Sequence, residues 1–172
     1  SGVKVKFTMK TFSNDKIIKE LQYEKLTKFD QIKTLVITGN QSRDEELLGA
    51  FHRLGLKVSI TTFQKTTINQ IKANLNSKVD NYNLVIIIDD KDFNGFDAAR
   101  AIWENNLSGN FIILLISSKD KKGNYMNCIM LGIDQYLVKP FDIRELVNTL
   151  KDSFPFLENP SESLDIGSVR ED

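Results

Sequence analysis

One cysteine, one histidine and one tryptophan are all that 172 residues contain of these types, and each scarcity closes off a class of chemistry. A lone Cys128 admits no intrachain disulfide and suits a reducing compartment. It lies in an apolar helical segment, where a thiol behaves as a small core group. His52 sits mid-helix with no Cys or His beside it, which leaves no His/Cys metal set. Long apolar runs are missing as well: nothing approaches the ~20 residues needed to span a bilayer. No secretory signal opens the sequence, because Ser1-Gly2-Val3 leads into alternating lysines. The expected location is the cytoplasm. Nor is there an excess of one charge, with 23 basic and 23 acidic residues. That balance gives no general pull toward nucleic acid.

What is present is alternation. The hydrophobic fraction of 41% supports one packed domain with tails. From 33 to 154, strand-like and helix-like segments follow one another, which implies βα units and a parallel sheet. Thr34 to Ile37 reads as the first strand, ending at Thr38-Gly39-Asn40. Ser42 and Glu45 then have the spacing of a capping box. Leu47, Leu48, Phe51 and Leu54 follow at helical spacing, and Gly55 stops the helix. Leu56 to Thr62 reads as a second strand, and Ile68, Ile71 and Leu75 stripe the next helix. Leu84 to Ile88 is a continuous apolar run, as expected of a central strand covered on both faces. Phe96, Ala99, Ile102 and Trp103 stripe a third helix, and Phe111 to Ile116 forms a fourth strand. A short helix over 125–131, the strand Tyr136-Leu137-Val138 and a final helix capped by Asp142 and Glu145 complete the series. The expectation is an α/β, flavodoxin-like (βα)5 fold with strand order 2-1-3-4-5.

The most specific run is Gly132-Ile133-Asp134-Gln135-Tyr136-Leu137-Val138-Lys139-Pro140. It ends a strand with a lysine set before a proline, at the carboxyl edge where parallel α/β sheets bind ligands. The run resembles the end of a response-regulator receiver (CheY-like) domain, and about 120 residues can be laid against that family. The resemblance implies a site at the carboxyl edge of the sheet: an acidic pair after the first strand for Mg²⁺, a phosphoaccepting aspartate ending the third, a Ser or Thr ending the fourth and a lysine ending the fifth. Metal and lysine would neutralise the transferred phosphoryl group. Lys139 with Pro140, whose peptide bond is commonly cis in that family, and Ser117 match it, and Tyr136 falls where the family often keeps a rotating aromatic.

The acidic pair, however, falls on Gly39 and Asn40. Counting forward from Asn83-Leu84-Val85 puts the phosphoacceptor on Ile88, and counting back from Asn94-Gly95-Phe96 puts it on Ile87. Asp89 is the candidate phosphoacceptor, and Asp89 and Asp90 are the candidate metal ligands, only through a slip of register. A one-residue slip turns a strand's side chains to the opposite face. The expected reading is therefore a degenerate receiver that needs no cofactor and signals through protein contacts, with Lys139 facing Asp89, Asp90 or solvent. Mg²⁺ would enter only with a working acceptor at Asp89.

At the amino end, Val3, Val5 and Phe7 alternate with Lys4, Lys6 and Thr8, a run similar to the last strand of a histidine-kinase ATP-binding domain. That similarity implies a hybrid sensor kinase, anchored to a membrane elsewhere in its chain. The partners would be its kinase core and neighbouring receivers, with a homodimer a further option and no direct contact with membrane or nucleic acid. The expected organisation is 1–12 as that end strand, 13–32 as a helical linker, 33–154 as the receiver-like domain and 155–172 as a flexible linker rich in Pro, Ser, Glu and Asp. An alternative of another class is a flavodoxin-type FMN module, because Thr38-Gly39-Asn40-Gln41-Ser42 resembles a phosphate loop before a capped helix.

Overall fold

In a computed structural model, residues 28–157 are described, and five parallel strands alternate with five helices. The strands are β1 (Lys33–Thr38), β2 (Lys57–Thr62), β3 (Leu84–Ile88), β4 (Ile112–Ser117) and β5 (Gln135–Val138). Their order in the sheet is β2-β1-β3-β4-β5. The helices are α1 (Glu45–Leu54), α2 (Thr67–Ser77), α3 (Gly95–Glu104), α4 (Asn124–Met130) and α5 (Ile143–Ser153). Order and alternation are those expected from the sequence.

Two apolar layers sandwich the sheet. Val36, Leu84, Ile86, Ile88, Leu114 and Ile116 point toward α1 and α5, where Phe51, Leu54, Leu146 and Val147 meet them. Leu35, Ile37, Val85, Ile87, Ile113 and Leu115 point the other way, toward α2, α3 and α4. β3 is buried at every position, as its unbroken apolar run requires when both faces are covered. β2, at the edge, is exposed or half-exposed throughout. Trp103, placed on the buried stripe by its spacing, is half exposed on α3, whose inward face is formed by Phe96, Ala98, Ala99 and Ile102.

The folded unit reaches beyond 33–154 at both ends. Phe29 and Ile32, assigned to the linker by their charged surroundings, are buried in the layer beneath α1 and α5. Leu157, assigned to the flexible tail, is fully buried in the same layer. Short 3-10 turns at Lys28–Gln31 and Pro155–Leu157 carry Phe29 and Leu157 in. The strand expected over 1–12, the rest of the helical linker and the remainder of the tail lie outside the described residues.

Candidate functional site at the carboxyl edge of the sheet

The loops that follow β1, β3, β4 and β5 meet at one edge, and the backbone ladder continues into them. Asp89 N–H donates to Ile116 O at 2.8 Å, and Lys139 N–H donates to Ser117 O at 2.8 Å. Side chains at these positions therefore keep the alternation of their strands. Asp89, next after Ile88, shares the face of Val85 and Ile87, the α3 side. There its carboxylate accepts from Gly95 N at 2.7 Å and from the Ser117 hydroxyl at 3.3 Å. Gly95 is needed for this close approach: a Cβ would stand 3.0 Å from Asp89 Cβ and 2.8 Å from Leu115 Cδ1. Lys139, next but one after Leu137, shares the α1 and α5 side with Thr38 and Ile88.

Lys139 meets neither Asp89 nor Asp90. Its ammonium lies 3.7 Å from Asp44 Oδ1, and Asp44 Oδ2 accepts a hydrogen bond from the Thr38 hydroxyl. Asp44 is buried, so a charge-assisted hydrogen bond and an ion pair together offset its loss of hydration. This carboxylate is absent from the candidates drawn from the sequence. The expected Ser42–Glu45 capping box is also corrected: Asp44 holds the N-cap position of α1, with no side-chain cap hydrogen bond. Asn40 explains the turn that puts it there. Its Oδ1 accepts from Arg43 N, its carbonyl accepts from Asp44 N, and its own N–H donates to Thr38 Oγ1. The signal in the sequence was the Thr38-x-Asn40 pair, whose side chains organise turns of this kind.

Across from this turn, Asp90 closes the β3–α3 loop by accepting from Asp92 N and Phe93 N at 2.7 and 2.8 Å. Its other oxygen, Oδ2, is buried without a hydrogen bond. That oxygen faces the Arg43 guanidinium at 3.5 Å, and the same nitrogen lies 2.8 Å from Asp92 Oδ2. The hydrogen bond to Asp92 and the charges of Asp92, Asp90 and Asp44 raise the pKa of Arg43 above its ordinary value. Phe93 lies over Gly39, where a Cβ would come within 2.2 Å of the ring's own Cβ.

This geometry does not favour the FMN alternative. Phe93 covers Gly39, and the Thr38 and Asn40 side chains are engaged within the turn itself. Magnesium, implied by the resemblance for a working acceptor, is also a poor fit. Glycine and asparagine stand after β1, and among the described residues no three Asp, Glu, His or Cys side chains form a metal-holding group.

Tyr136 is half-buried against the α3–α4 layer. Its phenol accepts from Asn124 Nδ2 at 2.9 Å and donates to Asp120 at 3.0 Å. Burial is the largest cause raising its pKa, with Asp120 adding to it and Asn124 opposing. The Lys139–Pro140 peptide bond is cis. A cleft of about 460 Å³ opens between the β3–α3 and β4–α4 loops, with Asp89, Asp90, Lys91, Lys119 and Asn124 among its walls.

The fold is the one shared by receiver domains of two-component response regulators. The CheY-like receiver domain from Methanospirillum hungatei JF-1 matches 76% of this chain and 99% of its own, with a TM-score of 0.55 and 17% identity. CheY in the CheX-CheY-BeF3-Mg complex from Borrelia burgdorferi matches 72% of this chain and 89% of its own, with a TM-score of 0.59 and 18% identity. A probable two-component response regulator/GGDEF domain protein matches 80% of this chain and 57% of its own, with a TM-score of 0.63 and 19% identity. No protein-family model and no curated protein matches the sequence. Among the described residues, no helix is long and apolar enough to cross a membrane.

Proposed function

We propose that this is a pseudo-receiver: a receiver-fold module of a hybrid sensor histidine kinase, cytoplasmic, that signals through protein contacts instead of accepting a phosphoryl group. One observation carries the reading. Asp89 and Lys139 lie on opposite faces of the sheet, and the residue that shares the lysine's face at the end of β3 is Ile88. A phosphoryl group on Asp89 would develop charge on three equatorial oxygens. The lysine that should meet that charge is turned to the other side and engaged by Asp44.

Protein contact is the remaining means of signalling, and α4 offers a surface for it. Tyr125, Met126, Ile129 and Met130 are each more than half exposed on its outer face. An apolar face of this kind on a soluble fold marks an interaction site. The kinase core and neighbouring receivers are the partners proposed, and no resident cofactor is required. Incubation with acetyl phosphate and Mg²⁺, followed by intact-mass measurement, tests the reading: no 80 Da adduct is expected, the mass of one phosphoryl group. An adduct lost in Asp89→Asn would overturn it.

A working receiver is the second reading, favoured by the Ser117 hydroxyl beside Asp89 and by the open cleft along that side. The same mass measurement separates the two.

A further inference from the structure

Three carboxylates, from Asp44, Asp90 and Asp92, act on Arg43 at the edge of the sheet, and neighbouring carboxylates repel unless a cation lies among them. The cation here is part of the chain. We propose that Arg43 is the resident counter-ion of the β3–α3 loop, standing in for a divalent metal and keeping the edge closed to one. The inference deepens the pseudo-receiver reading by naming what holds the edge together without Mg²⁺.

Three observations support it. The buried Asp90 Oδ2 has no hydrogen-bond donor, and the charge it faces is the Arg43 guanidinium at 3.5 Å. One guanidinium nitrogen serves both Asp90 and Asp92, at 3.5 and 2.8 Å, so it bridges two carboxylates as a metal would. Finally, the Asn40 turn fixes the backbone from which Arg43 projects, through Asn40 Oδ1 on Arg43 N at 3.1 Å. A guanidinium suits this task because it is always charged and presents several donors in a fixed plane. Phe93 over Gly39 holds the two loops in register.

The test is a Mn²⁺ titration of the full chain, read by water-proton relaxation, on wild type, Arg43→Gln, Arg43→Lys and Arg43→Gln/Asp90→Asn. Arg43 is partly exposed, so the variants are expected to fold, with far-UV circular dichroism as the check. Arg43→Gln should bind Mn²⁺ about tenfold or more tighter than wild type, because an adjacent positive charge has been removed. Arg43→Lys should stay near wild type, and Asp90→Asn should cancel the gain. No gain in Arg43→Gln, an equal gain in Arg43→Lys or a gain that survives Asp90→Asn would each overturn the proposal. Failure of the pseudo-receiver reading would appear elsewhere, as an acetyl phosphate adduct on wild-type protein.

Discussion

Replacing Asp44 by alanine removes a buried carboxylate from between two donors, and its cost can be worked from the geometry. The Thr38 hydroxyl loses its charged acceptor, a class of hydrogen bond that contributes about 1.5–3 kcal/mol net. Lys139 loses a partner 3.7 Å away, but its side chain is a quarter exposed and can turn to water. That pair contributes no more than about 1 kcal/mol. The Asn40 turn is made by backbone and Asn40 atoms, so it should survive. The expected loss is roughly 2.5 kcal/mol, or about 9 °C in Tm for a unit of this size. Urea denaturation followed by circular dichroism measures it, and Thr38→Val completes a double-mutant cycle. The two substitutions should couple by more than about 1 kcal/mol, because they remove the same hydrogen bond. A loss below about 0.5 kcal/mol for Asp44→Ala, or strict additivity with Thr38→Val, would refute the assignment of Asp44 as a buried, doubly held carboxylate.

Two further predictions follow from the packing. Gly39→Ala places a methyl group within 2.2 Å of Phe93 Cβ, and the displaced ring should cost about 1–3 kcal/mol, measured by the same urea titration; an unchanged midpoint would show that Phe93 does not pin the two loops. Burial pushes the Cys128 thiol up to about 11, above its unfolded value of about 8.5. Stability should therefore be flat in this respect below the unfolded value and fall as pH rises toward 11, since only the unfolded chain releases that proton. Cys128→Ala should remove that part of the slope, and the native thiol should react with a disulfide reagent at pH 8 far more slowly than the unfolded one.

How much of this was legible in the sequence depended on whether a residue's role was local. The unbroken run Leu84 to Ile88 announced a central strand, because burial on both faces removes alternation. Asp142 announced the last helix, and it caps α5 by accepting from Arg144 N at 2.9 Å. Lys139 was placed correctly at the carboxyl edge, but its partner was not. Asp44 lies in a polar stretch whose spacing also fits a capping box, and only the Thr38 hydroxyl, six residues earlier and on the strand, turns it inward. Phe29, Ile32 and Leu157 were misassigned for a similar reason. Their neighbours are charged or proline-rich, and the apolar layer that receives them is assembled from residues far away in the chain. The register at Asp89 was legible as a question and not as an answer, since its two flanks counted to different positions. The structure resolves it by extending the β3 ladder one residue, onto the α3 side.

The separation of Asp89 from Lys139 across the sheet is the claim on which the functional account depends. Beryllofluoride, which imitates an aspartyl phosphate, reads it most directly through ¹⁹F nuclear magnetic resonance in the presence of Mg²⁺. The account predicts free fluoride species alone, with no protein-bound resonance at any protein concentration. A set of bound resonances that vanishes in Asp89→Asn would contradict it.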